Sequence, residues 1–239
     1  MSVPAAARLP SRPALRRLIE FYETKGPDNR GRLLEEILRW SDERLEFSHD
    51  YIQTLFPLPE GSMFANAPVV DEETFLYWRQ SGEELSANMR RALEHMLSFY
   101  GFAIEWQDHE KGGSTAEVTV KAGGEANLAR WVVHMDHNHL RITRIIRSLR
   151  VLGLTEEARA FYAALVWTCD TYGRIGSSSR KFWKRAIELP LHIAPDGTEV
   201  EWLEKYDGGE DTAENDIKSD GSESSVDQEG NTAAKQETN

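Results

Sequence analysis

Apolar residues return at helical spacing along most of this chain, and this periodicity limits the fold more than any other feature of the sequence. The pattern begins at Leu15 and continues to about Glu188, with one clear interruption at residues 102–127. Its cleanest stretch runs from Leu85 to Tyr100, where apolar residues recur at intervals of three and four and predict a helix with one buried face. The sequence therefore predicts a mainly α fold, a compact multi-helix domain over residues 15–203.

The interruption at residues 102–127 has a different pattern. Phe102, Ile104 and Trp106 alternate with other residues, and Val118-Thr-Val120 follows after a Gly-Gly pair. Such alternation is typical of strands, and paired glycines are typical of turns. A small β-hairpin near residues 102–121 is one interpretation, and a flexible insertion is the other.

The two ends of the chain differ in composition from its centre. Residues 207–239 contain ten of the 40 acidic residues and two of the 28 basic residues, so they carry most of the net charge of -12. This segment has almost no large apolar side chain, and it cannot bury enough surface to offset its conformational entropy. We expect a disordered N-terminal arm at residues 1–14 and a disordered acidic tail at residues 207–239.

Composition and motifs exclude several classes of protein. No apolar run approaches the roughly 18 residues that a spanning helix needs, which excludes an integral membrane protein. A single cysteine, Cys169, excludes an intrachain disulfide and indicates a reducing compartment. The chain has no Gly-x-Ser-x-Gly, no His-Glu-x-x-His and no phosphate-binding glycine loop. We therefore assign no catalytic residue and no cofactor, and we expect a protein that is not an enzyme.

The segment from His137 to Arg150 is the most informative stretch. On a helical wheel, four aliphatic residues fall on one half and four arginines on the other: Ile142, Ile145, Ile146 and Leu149 against Arg141, Arg144, Arg147 and Arg150. We predict a helix that begins near Leu140, is capped by Asp136 or Asn138, and has a solvated arginine half. Guanidinium groups bind carboxylates and phosphates through paired hydrogen bonds, so this half is a candidate anion-binding face. The alternative is a solvated surface whose arginines pair with neighbouring carboxylates.

Two alternative functions use the same region. His134, Asp136 and His137 are residue types that bind zinc or iron, and a metal-dependent hydrolase would use them. Binding of nucleic acid through the Arg141–Arg150 helix is the other alternative. It is the weaker one, because the chain offers no second basic stripe and no aromatic stacking platform beside this helix. The preferred interpretation assigns no metal site.

Several strings of residues resemble a known family. His49-Asp-Tyr-Ile-Gln-Thr-Leu-Phe-Pro-Leu58 resembles the His-x-Tyr-Ile-Gln-x-Leu-Phe-Pro-Leu segment of the opioid growth factor receptor conserved region. Met96-Leu-Ser-Phe-Tyr-Gly101 and Leu140-Arg-Ile-Thr-Arg-Ile145 agree with the same family in the same order, and the similarity covers roughly residues 18–190.

This resemblance implies a mostly helical domain from a family named for binding a tyrosine-led opioid pentapeptide. It also implies a receptor-like intracellular protein that is nuclear or perinuclear and associates with membranes peripherally, without a spanning segment. Together with the arginines, it indicates a peptide or an acidic protein as the partner.

We predict that the binding site lies where the His49–Leu58 segment approaches the His137–Arg150 helix. Arg141 and Arg144 would hold an anionic group of the partner. Directed hydrogen bonds would come from the polar side chains of both motifs, namely His49, Tyr51, Gln53, His137 and Asn138.

Overall fold

The structure, a computed structural model, describes residues 9–62, 67–80, 83–108 and 114–207. Most of the predicted arm at residues 1–14 and nearly all of the predicted tail at residues 207–239 lie outside the described residues. As predicted, the described part is mainly helical. Its helices are α1 (Pro13–Tyr22), α2 (Leu34–Ile37), α3 (Asp42–Phe47), α4 (Ile52–Leu55), α5 (Glu72–Gln80), α6 (Glu83–Tyr100), α7 (Glu125–Trp131), α8 (His137–Val151), α9 (Thr155–Tyr172), α10 (Ser177–Glu188) and a 3₁₀ helix (Glu201–Tyr206).

Helix α8 lies in the centre of the fold. It packs against α9 and α10, and the aliphatic half of the helical wheel is fully buried, as predicted: Ile142, Ile145, Ile146 and Leu149. The helix begins at His137, three residues before the predicted start. The Asp136 carboxylate accepts a hydrogen bond from the Asn138 backbone N–H at 2.8 Å, which confirms Asp136 as the cap.

The hairpin interpretation of residues 102–121 is confirmed. Strands β1 (Phe102–Asp108) and β2 (Ser114–Val120) pair in antiparallel register, with Phe102 opposite Val120, and β2 packs on α9. Gly101 links α6 to β1 with φ +99°. A Cβ at this position would lie 2.6 Å from the Gly124 carbonyl oxygen, so both the backbone conformation and the close approach require glycine.

The described part of the chain has no helix with the length and apolar character needed to cross a bilayer.

Candidate functional site

The prediction of a solvated arginine half on α8 is wrong. The exposed fraction is 1% for Arg147 and 6% for Arg141 and Arg150, and Arg144 is mostly buried. The helical wheel separates aliphatic from charged residues correctly, but other parts of the chain, and not solvent, cover most of the charged half. The guanidinium groups form hydrogen bonds with these covering parts of the chain.

Three of these arginines bind backbone carbonyls at the ends of other helices. Arg141 donates to the carbonyl oxygens of Leu45, Glu46 and Ser48 at 3.1, 3.3 and 2.8 Å, at the C-terminal end of α3. Arg144 donates to Phe56 after α4 at 2.9 Å, and Arg150 donates to Ala186 and Leu189 at the end of α10 at 3.0 and 2.8 Å.

The last carbonyls of a helix lack partners within that helix, and its C-terminal end carries partial negative charge. An arginine at these ends therefore satisfies both the hydrogen bonding and the charge. The three-residue spacing of the arginines thus links α8 to the ends of α3, α4 and α10.

Arg144 forms fewer hydrogen bonds through its guanidinium group than Arg141 and Arg150 do. Phe56 is its one hydrogen-bond acceptor among the described residues, whereas Arg141 has several. Burial lowers the pKa of Arg144 to about 10, against the opposing effect of the Glu60 charge. Arg144 is therefore a desolvated cation with N–H groups left for a further acceptor.

A groove between α4 and α8 runs past this side chain, and we call it the Arg144 groove. Its first depression has a volume of about 250 Å³ and is lined by His49, Ile52, Gln53, Ser62, His137, Leu140, Arg141 and Arg144. A second depression of about 270 Å³ shares Leu140 and Arg144 and extends to Glu60, Arg147 and Asp196. Residues of both sequence motifs therefore line one surface.

Several buried polar atoms around the groove have no hydrogen-bond partner in the part of the chain that the structure describes. Seven buried side-chain polar atoms of the described residues lack a hydrogen bond, and three of them belong to residues that line this groove. These atoms are Gln53 Oε1, Glu60 Oε2 and Arg147 Nη1. Glu60 and Arg147 also pair with each other through Oε1 and Nε, which lie 3.2 Å apart. Buried polar atoms are nearly always paired in folded proteins, so a local group of atoms without a partner calls for an explanation.

The predicted site residues fall into two groups. His49, Gln53, His137, Arg141 and Arg144 line the groove. The His49 and His137 rings meet edge to face with centroids 5.6 Å apart, and His137 Nε2 lies 3.3 Å from a Glu46 carboxylate oxygen. The Arg141 guanidinium also lies 3.0 Å from His49 Nδ1, so its N–H groups are largely used within the protein.

Tyr51 and Asn138 lie beneath the groove and do not line it. Tyr51 is fully buried, and its hydroxyl lies 3.6 Å from the sulfur of Met96, so it points into the core. The Asn138 side chain accepts a hydrogen bond from Arg141 and donates one to Glu46, each at 3.2 Å. These two residues therefore support the wall of the groove.

Several residues that line the groove were not predicted as site residues, and Leu140 and Glu60 are the two that matter for ligand binding. Leu140 is 71% exposed and lies between the two depressions. The sequence does contain a signal for it, because Leu140 falls on the arginine half of the helical wheel, where an apolar residue is out of pattern. No comparable signal identifies Glu60.

The structure does not bring together one metal site from His134, Asp136 and His137. Asp136 caps α8, and its carboxylate lies 3.7 Å from His137 Nδ1. His134 lies instead against Gly176, whose backbone N–H donates to the His134 carbonyl. Within the described ranges, no three His, Cys, Asp or Glu side chains are placed to hold a metal ion together.

Comparison with known proteins identifies the same family that the two sequence motifs resemble. The opioid growth factor receptor from rat is 39% identical over 128 residues, which are 52% of this chain and 20% of the receptor. The human receptor is 37% identical over 128 residues, covering 52% and 18% of the two chains. The mouse opioid growth factor receptor-like protein 1 is 34% identical over 142 residues, covering 56% and 28%.

The chain thus spans less than a third of the length of these relatives, and no solved structure matches it. The family profile named opioid growth factor receptor (OGFr) conserved region matches residues 16–169, which include both sequence motifs and α8. Because this match extends over more than half of the chain, the protein belongs to the opioid growth factor receptor conserved-region family.

Proposed function

We propose that this chain is a receptor-like binding module without enzymatic activity, and that the Arg144 groove is its ligand site. The observation that carries this proposal is the group of unpaired polar atoms around Arg144. Gln53 Oε1 and Glu60 Oε2 have no hydrogen-bond donor among the described residues, and the N–H groups of Arg144 that do not bind Phe56 are open to an acceptor, so a bound ligand would supply these partners.

The ligand that fits this pattern carries a carboxylate, several N–H groups and an apolar part. A carboxylate would bind Arg144, because a hydrogen bond between two charged groups that are partly shielded from water is among the stronger polar contacts. Backbone or terminal N–H groups would bind Gln53 and Glu60, and an apolar side chain would cover the exposed Leu140. A short peptide with a free carboxyl end has all of these groups.

The names of the relatives support the same ligand class, since they are named as receptors for opioid growth factor. The family resemblance describes this ligand as a tyrosine-led pentapeptide, which has an amine, a carboxylate and aromatic surface. We therefore propose a peptide of this kind, or an acidic protein segment, as the partner. The same resemblance supports a nuclear or perinuclear location with peripheral membrane association, and imaging of the tagged full chain tests this location.

The burial of the arginines of α8 argues against the alternative of nucleic-acid binding through this helix. Binding of a nucleic acid depends on exposed cations that neutralise phosphates and release counterions. Arg141, Arg147 and Arg150 are buried and bonded to carbonyls, so they cannot form such a surface. The proposal therefore rests on one partly used arginine in a groove.

Calorimetric titration of the full chain with the opioid growth factor pentapeptide tests the proposal. We expect the Arg144→Gln variant to bind about tenfold or more weakly, because it loses a hydrogen bond to a charged group. The matched control is Arg159→Gln, which changes an exposed arginine of α9 outside the groove. Equal affinity of the Arg144→Gln variant and the wild type would refute the site, and absence of binding to the wild type would refute the ligand.

A further inference from the structure

A second groove lies on another face of the protein, between β2 and α9, and it shares no residue with the Arg144 groove. Its volume is about 450 Å³. One wall is formed by five consecutive residues of β2, Ala116 to Val120, and the floor is formed by Ala160, Ala163 and Ala164 of α9. Trp167, which is 50% exposed, lies at the side. We call this feature the β2 edge groove.

No strand of the described ranges pairs with the backbone of β2 on the side that faces this groove. In the described residues the sheet contains β1 and β2 alone, so β2 has one neighbouring strand. The backbone N–H of Lys121 donates to the Gly101 carbonyl at 3.0 Å, which fixes the hydrogen-bonded pairs of the ladder. Because residues of an antiparallel strand alternate between the two sides, the N–H and C=O groups of Ala116, Val118 and Val120 point away from β1.

These outward backbone groups are free to pair with an extended strand. An unpaired strand edge beside an apolar groove is the arrangement that proteins use to bind a peptide as an added strand. In an antiparallel addition, the residues opposite Ala116, Val118 and Val120 place their side chains over α9. The alanine floor there leaves space for small or β-branched apolar side chains.

The outer face of the hairpin carries negative charge, which favours a basic residue on the added strand. Glu105 and Glu117 lie directly opposite each other in the ladder, and both are exposed. Two like charges in a cross-strand pair are unfavourable, and a basic residue on a third strand beside Glu117 would offset this repulsion. The added strand should therefore alternate apolar residues with lysine or arginine.

From these observations we propose that the β2 edge groove binds an extended basic-apolar peptide segment as an antiparallel third strand. Valine-sized side chains would lie over Ala160, Ala163 and Ala164, and a lysine or arginine would lie beside Glu117. This site is independent of the proposed peptide site at Arg144. The chain would then carry two separate surfaces for two partners of opposite charge.

The test uses a capped peptide of alternating lysine and valine and the full chain labelled for NMR. We expect addition of this peptide to shift the amide signals of Ala116, Val118 and Val120 and to slow their hydrogen exchange. N-methylation of the valines removes the donors to β2 and should weaken binding about tenfold or more, whereas N-methylation of the lysines should not.

Protein variants supply the second part of the test. Ala163→Trp places a large side chain in the groove and should weaken binding about tenfold, since it occupies the space of the valines. Ala87→Trp makes the same change at an exposed alanine of α6 and should leave binding unchanged. Unshifted β2 amides, equal binding of the valine-methylated peptide, or equal binding by the Ala163→Trp variant would overturn the proposal. Concentration-dependent shifts of the same amides without peptide would also overturn it, because a second copy would then occupy the edge.

Discussion

Replacement of Arg141 by methionine should separate the structural arginines of α8 from the one we assign to ligand binding. Methionine retains most of the buried side-chain volume but removes the hydrogen bonds to the carbonyls of Leu45, Glu46 and Ser48. It also removes the contacts of the guanidinium with Asn138 and His49. An intramolecular hydrogen bond contributes about 1 kcal/mol net. The charge interaction between the guanidinium and the C-terminal end of α3 contributes roughly a few tenths of a kcal/mol more. The three carbonyl bonds alone therefore predict a decrease in the free energy of unfolding of about 3 kcal/mol.

The Arg144→Met variant is the matched comparison, because it makes the same change one turn away. Arg144 loses one hydrogen bond, to Phe56, and its charge is already unfavourable in the fold, since burial lowers its pKa to about 10. Loss of the bond and relief of the buried charge oppose each other, so the change should be about 1 kcal/mol or less. Ligand affinity should show the opposite order, with the larger loss for Arg144.

Urea denaturation followed by tryptophan fluorescence measures both values on the same full chain, with circular dichroism as a second probe of two-state behaviour. A stability loss for Arg141→Met that does not exceed the loss for Arg144→Met would refute the reasoning. In that case the carbonyl contacts would not stabilise the end of α3, and the arginine series would need another explanation.

Two further predictions concern the scaffold. Gly101→Ala should lower the free energy of unfolding by about 3 kcal/mol, because a Cβ meets the Gly124 carbonyl and φ is +99°. Gly31→Ala, at φ +80° in open space, should cost only about 1 kcal/mol, and equal losses in urea denaturation would contradict the steric argument. Burial lowers the pKa of His139 below its usual 6.5, and the neutral ring is held by Trp131 and Ser179. The unfolded chain then binds more protons than the folded chain as the pH falls below 6.5, so the free energy of unfolding should decrease on acidification from that pH, and a flatter slope is expected for His139→Gln. An identical slope in the variant would exclude His139 as the cause.

Local signals in the sequence predict much of this fold. The apolar stripe from Leu85 to Tyr100, the Asp136 cap and the alternation at Phe102 depend on neighbouring residues, and all three agree with the structure. Each of these features is visible in a short window, because helical and strand periodicity act over a few residues. The same reasoning identifies the two motifs that meet at the Arg144 groove.

The burial of the arginines could not be predicted in the same way. A helical wheel shows that Arg141 and Arg150 share a polar half, but it does not show what covers that half. The backbone carbonyls that accept from Arg141 precede it by more than 90 residues, and those that accept from Arg150 follow it by more than 30. A charged half that faces solvent and one that faces the ends of other helices therefore have the same sequence pattern.

Binding measurements on a double-mutant cycle test the central claim most directly, namely that Arg144 holds the carboxylate of a bound peptide. The cycle combines wild type and Arg144→Gln with the opioid growth factor pentapeptide and its C-terminally amidated form. We predict that amidation weakens binding to the wild type but hardly affects binding to the variant, with a coupling energy of about 1.5–3 kcal/mol. An equal effect of amidation on both proteins would contradict the account, because the carboxylate would then bind elsewhere.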